Sequence, residues 1–245
     1  RLNVNEDIPT FELKGGTEFQ MVPSITALRN GVLMNQVNYI IYWVAGVRAA
    51  KNQNYTLSIK LFEKIPEKQA EVYEVLTHYY ITANNLSTAN ATLETGIKLF
   101  PNHQGFYNYR SFIYLLANQY DKSIQALNKW IELDSSSAEA YTNRGGLFKR
   151  LGDKEKAMAD YCKAIELNPN YASAYYNRAV AFSELKKQGN AMVDYNKAIE
   201  LNPNYAYAYN NRAILFENLK EKEKAMADYN KAIELNPNYI SAYNN

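Results

Sequence analysis

The 245-residue chain has few of the residues from which cross-linked, catalytic and metal sites are built. It contains one cysteine, Cys162, and two histidines, His78 and His103. A single cysteine excludes an internal disulfide, and two histidines far apart in the sequence give little support to metal binding. The sequence also lacks a phosphate-binding glycine loop, an HExxH motif and paired cysteines. We therefore expect no enzyme activity, no metal site and no cofactor.

Strong charge of one sign is missing as well. The chain carries 27 basic and 25 acidic residues, which leaves a formal net charge of +2. Duplex nucleic acid requires a basic face, so we expect no nucleic-acid partner. The most apolar run, from Val37 to Val47, is far shorter than the roughly 20 residues of a bilayer span. We expect a buried helix there, no membrane span, and a soluble protein of either the cytoplasm or the periplasm.

What the chain does have is a pattern that repeats at a fixed interval towards its C-terminus. In the first copy an aromatic, a small residue and a second aromatic follow one another as Tyr141, Gly145 and Phe148. Ala157 and Tyr161 come next, and each copy ends in LNPNY. The corresponding residues of the next two copies are Tyr175, Ala179, Phe182, Ala191 and Tyr195, then Tyr209, Ala213, Phe216, Ala225 and Tyr229. A strict period of about 34 residues predicts a solenoid of helical hairpins.

This pattern resembles the tetratricopeptide repeat (TPR) family. The resemblance implies an all-α fold, a right-handed α-solenoid of helix-turn-helix hairpins, and work as a protein-binding scaffold or adaptor. Residues 138–245 read as a near-consensus array whose last repeat is incomplete, and 24–137 as irregular and divergent hairpins. Residues 1–23 alternate apolar and polar side chains around a Gly-Gly turn, which predicts an N-terminal arm or a small hairpin.

Residues 24–137 are called divergent because they carry other residues at positions where the later copies agree. Trp130 stands where the next copy has Ala164, and Ser135 stands where it has a proline. We expect the large indole to separate neighbouring helices or to be solvated at a partner face. About six repeats result, with a seventh begun at the end of the chain. That end would leave an apolar helix face uncovered, so we expect continuation beyond Asn245 or self-association through this end.

The first helices of such an array line its concave groove. Asn143, Asn177 and Asn211 recur once in each copy and would form a row along this groove. First helices stand roughly 10 Å apart and an extended peptide advances about 3.3 Å per residue, so one amide would meet about every third residue. Tyr176, Val180, Asn210 and Ile214 complete the predicted peptide-binding groove.

The asparagine row resembles the ladder in the TPR superhelix of O-GlcNAc transferase, which implies that the chain holds peptides by their backbone. An amide offers both a donor and an acceptor, so it can bind a peptide bond of any sequence. The alternative interpretation is that the amides satisfy neighbouring backbone groups or water. The resemblance also leaves open that this chain is the substrate-targeting segment of a larger enzyme, such as a glycosyltransferase.

A second kind of TPR ligand is the carboxylate-clamped tail of a chaperone, which requires cations on the groove face. None of the groove positions is cationic: Asn108, Phe112, Thr142, Gly146, Ser173, Tyr176, Val180, Tyr207, Asn210 and Ile214. We therefore expect no chaperone tail of this kind. The expected partner is another protein or an extended peptide.

The arginines beside the asparagine row have a different predicted role. Arg144, Arg178 and Arg212 recur in step with an acid on the second helix of the same copy. These acids are Asp160, Asp194 and Asp228. We expect structural ion pairs that join the two helices of each repeat, with an anion-binding row as the alternative. Arg110 lacks such an acid and would face Ala126.

Overall fold

The structure is a computed structural model that describes residues 11–13, 17–19 and 32–237. These residues fall into two compact units, of which the first ends at Val72 and the second begins at Tyr73. Of the predicted features, the Gly-Gly turn of the N-terminal arm and residues 240–245 lie outside the described residues.

In its described part, the first unit contains two short strands, two helices and the first residues of a third helix, which begins at Ala70. The strands pair in antiparallel fashion, with Phe11 opposite Phe19. Phe62 is fully buried, and Trp43 meets its ring edge-on with 5.2 Å between centroids. A β-carbon at Gly46 would lie 2.7 Å from the same ring, so this helix crossing depends on glycine. The elements are β1 (Phe11–Leu13), β2 (Thr17–Phe19), α1 (Val32–Lys51) and α2 (Tyr55–Glu63).

The second unit consists of helices in its described part and packs them in consecutive pairs. With α1 and α2, the described residues form six helical hairpins, and the predicted α-solenoid of hairpins is confirmed. None of the described helices has the length and apolarity that crossing a bilayer requires. The elements are α3 (Ala70–Thr82), α4 (Leu86–Leu99), α5 (Gly105–Leu116), α6 (Tyr120–Leu133), α7 (Ala138–Arg150), α8 (Lys154–Leu167), α9 (Ala172–Glu184), α10 (Gln188–Leu201), α11 (Ala206–Asn218) and α12 (Lys222–Leu235).

The turn inside each hairpin contains one residue with a left-handed backbone. Only Gly152 among them is a glycine, and the other five accept a φ between 57° and 63°. A hydrogen bond across the turn ends the first helix, as when the Lys187 N–H donates to the Phe182 carbonyl at 2.9 Å. The left-handed residues are Gln53, Asn84, Asn118, Gly152, Lys186 and Lys220. The left-handed residue thus recurs once in every hairpin, as the repeat pattern of the sequence does.

Small residues let the two helices of a hairpin approach each other. A small residue on the first helix faces one on the second, and all of these residues are buried. The pairs are Gly46–Ser58, Ser111–Ser123, Gly145–Ala157, Ala179–Ala191 and Ala213–Ala225. Thr77 and Ala89 occupy the equivalent positions of α3 and α4. Where serine replaces alanine, its hydroxyl is satisfied across the crossing: the Ser123 Oγ donates to the Ser111 carbonyl at 2.8 Å.

Trp130 departs from one of the two outcomes that the sequence predicted. Its side chain is not solvated at a partner face, because the residue is 6 % exposed and packs in a cluster with Tyr107, Leu127 and Leu147. The other predicted outcome, a wider separation of the neighbouring helices, stays a prediction. Burial of the large indole surface against apolar neighbours explains the difference.

Candidate protein-binding site

The face formed by α5, α7, α9 and α11, here called the first-helix face, carries the predicted asparagine row. Asn143 is exposed and its Nδ2 lies 3.5 Å from the Asn108 Oδ1. Asn211 is half-buried and its Nδ2 donates to the Tyr176 hydroxyl at 3.1 Å. Each of these two amides therefore reaches a side chain 35 positions earlier, on the preceding first helix. The row links successive first helices to one another.

Asn177 breaks this pattern. Its Nδ2 donates at 2.8 Å to the Ser173 carbonyl of its own helix. The corresponding residue on the preceding first helix is Thr142, which is buried and donates its hydroxyl to the Ala138 carbonyl at 2.8 Å. The three asparagines are therefore not equivalent, and Asn143 is the most accessible of them.

Asn210 differs from its predicted place on the groove surface. It is 2 % exposed, and its Nδ2 donates to the Asn211 Oδ1 at 3.3 Å. Its Oδ1 is buried and has no hydrogen-bond partner among the described residues. Asn210 therefore does not line an accessible surface.

Tyr176 belongs to an aromatic cluster between α9 and α11. Its ring centroid lies 4.9 Å from that of Tyr205 and 6.3 Å from that of Tyr195. Burial raises the pKa of Tyr205, although a hydrogen bond with Ser173 opposes the shift. Burial likewise raises the pKa of Tyr195, against hydrogen bonds with Ser183 and Asn211. The hydroxyls of Tyr195 and Tyr205 therefore stay protonated at neutral pH.

An apolar row runs along the first-helix face, with one position in each repeat. Phe112 is 42 % exposed and Ile214 is 38 % exposed. Val180 is half-buried against the Tyr195 cluster. At the remaining position of the row, Gly146, a β-carbon would meet nothing within 4 Å. The face therefore presents accessible apolar side chains with an open notch between them.

The predicted arginine–aspartate pairs lie beside this face, between the helices of each hairpin. The Arg144 Nε donates to the Asp160 Oδ2 at 2.8 Å and its Nη2 donates to Oδ1 at 2.7 Å. Arg178 and Arg212 hold Asp194 and Asp228 in the same two-bond geometry, at 2.7–2.9 Å. The hydrogen bonds to Asp194 raise the pKa of Arg178, against the opposing effect of burial.

Each of these arginines also reaches the preceding repeat, a contact that the sequence pattern alone did not predict. The Nη1 of Arg144 and of Arg212 donates at 2.7 Å to an asparagine 16 residues earlier. Cys162 accepts the equivalent bond from Arg178, with 3.5 Å between Nη1 and Sγ. The asparagines are Asn128 and Asn196. The sequence pattern that could have predicted this contact is the asparagine or cysteine that recurs 16 positions before each arginine.

Arg110, for which the sequence pattern predicted Ala126 in place of an acid of its own repeat, pairs with an acid of the preceding repeat. Its Nη2 donates to the Glu94 Oε1 at 2.6 Å, and its Nε lies 3.2 Å from the same oxygen. Glu94 lies on α4, in the preceding hairpin, at the position that Asn128 and Cys162 occupy in later ones. In this hairpin the acid that pairs with the arginine therefore lies in the preceding repeat, whereas in the later hairpins it lies in the same repeat.

Known family patterns match the regular part of the chain. Residues 172–205 and 206–239 match the pattern described as tetratricopeptide repeat, and residues 112–152 and 147–186 match the pattern described as TPR repeat. Together these matches run from residue 112 to residue 239, just over half of the 245-residue chain. No curated protein sequence matches the chain.

Solved structures share the fold. The crystal structure of MamA is 25 % identical, with a TM-score of 0.54, over 65 % of this chain and 94 % of MamA. YrrB, whose structure is described as that of a TPR protein with an unusual peptide-binding site, is 19 % identical with a TM-score of 0.51, over 78 % and 96 % of the two chains. The Cut9–Hcn1 structure gives a TM-score of 0.74 at 15 % identity, over 88 % of this chain and 44 % of that one.

Proposed function

Because the chain belongs to the tetratricopeptide repeat family, we propose that it binds an extended segment of a partner protein on its first-helix face. The family supports a protein-interaction scaffold in general, and the exposed apolar row supports this more specific surface. YrrB, which has the same fold, is described as having a peptide-binding site. The role that we propose is non-catalytic.

The apolar row carries the proposal. Phe112 and Ile214 are more than a third exposed and lie at equivalent positions of their repeats, and each has a second exposed apolar side chain on its own helix, Leu116 and Tyr207. Accessible apolar side chains that follow one face are typical of interaction surfaces. Anchors of this kind contribute most of the binding energy when a partner buries them. Asn143 lies on the same face and offers an exposed amide to the backbone of the bound segment.

The test compares two faces of the same chain. Peptides are selected from a random phage-displayed library on the full chain, and their affinity is measured by fluorescence anisotropy. The double variant Phe112→Ser and Ile214→Ser should weaken binding by about tenfold or more. The matched control is Val193→Ser with Met226→Ser on the second helices, where the side chains are 66 % and 62 % exposed. Equal losses in the two variants would refute the first-helix face as the binding surface.

A single substitution tests the backbone contact. Asn143→Ala removes the exposed amide and should lower affinity by about fivefold, since one hydrogen bond is lost. Asn177→Ala is the control because the Asn177 amide is already committed to the Ser173 carbonyl. If Asn177→Ala lowers affinity as much as Asn143→Ala, the exposed amide has no special part in binding.

A further inference from the structure

Glu139 is an exposed acidic side chain on the first-helix face. It lies on α7 in line with Asn143 and Gly146, which follow it by four and seven positions. Its Oε1 accepts a hydrogen bond from the Asn108 Nδ2 of α5 at 3.3 Å. The carboxylate therefore stands between two successive first helices, beside the exposed amide of Asn143.

Two other acids on first helices have a basic partner, and Glu139 does not. The His103 Nε2 lies 2.6 Å from the Glu74 Oε2. The Lys149 Nζ donates to the Glu184 Oε1 at 3.1 Å. Among the residues that the structure describes, Glu139 forms no such ion pair, and its contact with Asn108 leaves its charge uncompensated.

The arginines of α7 do not neutralise this carboxylate. Arg144 is held by two hydrogen bonds to Asp160, at 2.7 and 2.8 Å. Arg150 comes 11 positions after Glu139, which corresponds to about 16 Å along a helix. Its guanidinium lies 5.2 Å from the centroid of the Tyr120 ring on α6. The part of the first-helix face around Glu139 is therefore negative and attracts a cation.

Two tyrosines lie near this carboxylate. Burial is the main cause that raises the pKa of Tyr109 to about 12, and the charges of Glu74 and Glu139 add to the shift. Burial and then the charge of Glu139 raise the pKa of Tyr171, although a hydrogen bond with Ser173 opposes the shift. A protonated tyrosine offers a cation its ring face and the lone pairs of its oxygen. The surroundings of Glu139 thus suit a positively charged group.

Gly146 leaves room on the same stripe of α7 for a long side chain. A β-carbon at Gly146 would meet nothing within 4 Å, whereas the equivalent positions of the neighbouring repeats hold Phe112 and Val180. Phe112 is 42 % exposed and offers apolar surface beside this notch. Lysine and arginine bury their aliphatic stem on apolar surface while the charged end reaches a polar group. The notch fits such a stem, and Glu139 fits the charged end.

We propose, on the basis of the function proposed above, that the segment bound on the first-helix face carries a lysine or arginine that pairs with Glu139. The equivalent positions of α9 and α11 hold Ser173 and Tyr207, so the pairing occurs at one repeat and fixes the register of the segment. Ile214 lies two first helices further on, at roughly 20 Å. An extended segment covers this distance in about six residues, so its apolar anchor lies about six positions from its basic residue.

Selection of peptides from a random phage-displayed library on the full chain tests this pattern. We expect the selected peptides to share a lysine or arginine, with an apolar residue about six positions away. The same selection on Glu139→Gln should keep the apolar residue and lose the preference for the basic one. Peptides that share no basic residue would overturn this inference and leave the first-helix face as the binding surface. A chain that selects no peptide would overturn both.

A charge exchange on one selected peptide, synthesised with a fluorescein label, identifies the partner of its basic residue. Replacing this residue by glutamate should weaken binding by about fivefold, and Glu139→Lys should restore it. The matched control is Glu217→Lys on α11, where the exposed Glu217 accepts a hydrogen bond from the Tyr229 hydroxyl at 3.1 Å. This variant should not restore binding. Equal recovery with both variants would reduce the effect to net charge and overturn the proposal.

Glu139→Gln decides the matter if circular dichroism shows that Glu139→Lys does not fold. It keeps the size of the side chain and removes its charge, so it should weaken binding of the unchanged peptide by about fivefold. Glu217→Gln should change the affinity by less than about twofold. Equal affinities of Glu139→Gln and the unchanged chain would also overturn the proposal.

Discussion

Two hairpins, α5–α6 and α9–α10, differ in how they pair the arginine on their first helix. Each must neutralise an arginine on its first helix. Arg178 uses Asp194 of its own repeat, whose side chain is 4 % exposed. Arg110 uses Glu94 of the preceding repeat, whose side chain is 44 % exposed. The repeat therefore tolerates the loss of its own acid when its neighbour supplies one.

The difference in exposure has energetic consequences. Removal of one partner from a buried ion pair leaves an uncompensated charge, which costs about 3–5 kcal/mol. An exposed pair contributes only about 0–1 kcal/mol because water and salt screen it. The same chemical pair should thus stabilise the later repeats far more than the hairpin of α5 and α6.

The largest expected effect tests this contrast directly. Arg178→Gln should lower the free energy of unfolding by about 3 kcal/mol because Asp194 stays buried without its partner. Arg110→Gln, the matched change, should lower it by less than about 1 kcal/mol. Urea unfolding followed by circular dichroism measures both, with hydrogen exchange in α9 and α10 to detect local opening, since repeats can unfold separately. Equal losses would show that exposure does not separate the two pairs.

A conversion of the divergent hairpin sharpens the comparison. Glu94→Asn with Ala126→Asp gives it the side chains that surround Arg212, namely an asparagine one repeat earlier and an aspartate within the repeat. The double variant should be more stable than the sum of the single changes predicts, by about 1 kcal/mol. A double-mutant cycle by urea unfolding measures this coupling.

The control for that cycle replaces Ala126→Asp by Gln125→Asp, which adds an acid at the exposed neighbouring position. No coupling with Glu94→Asn is expected there. If both cycles give the same coupling, Arg110 responds to any nearby acid and the consensus geometry has no particular advantage.

Contacts that recur in every repeat could be predicted from the sequence, whereas contacts that occur in only one repeat could not. The hairpins and the pairing of Arg144 with Asp160 follow from the strict repeat period, because each copy of the pattern adds evidence for the same geometry. The pairing of Arg110 with Glu94 occurs once. It becomes visible only when the spacing from each arginine to the preceding helix is known.

The candidate site shows the same division. The period placed Phe112 and Ile214 at equivalent positions of the first-helix face, and both are exposed. It could not distinguish Asn143 from Asn177, because that difference lies in the partner of each amide: Asn143 reaches Asn108 on the preceding first helix, whereas Asn177 donates to a carbonyl of its own helix. The hydrogen-bond partner of each side chain depends on its local packing, and a repeat pattern describes only what the copies have in common.

The turn before α7 offers a smaller test of how far the divergent part can be made regular. Asp134 has φ −142° and ψ 89°, almost the values of Asn168, which precedes a proline. Ser135→Pro should therefore fit without strain and raise the free energy of unfolding by about 0.4–1 kcal/mol, chiefly by restricting the unfolded chain. Ser136→Pro is the control and should destabilise, since the Ser136 N–H donates to the Asp134 Oδ1 at 3.0 Å. Thermal and urea unfolding should rank the two variants in opposite directions from the unchanged chain.

The smallest expected effect concerns a departure within the regular repeats. Cys162 accepts a hydrogen bond from Arg178 at 3.5 Å, where Asn128 and Asn196 accept at 2.7 Å. Sulfur is a weak acceptor, so Cys162→Asn should raise the free energy of unfolding by about 0.5 kcal/mol. Cys162→Ala removes the acceptor and should not stabilise. If both variants unfold at the same urea concentration, the contact to the preceding repeat contributes nothing. The stability of Arg178 would then come from Asp194 alone.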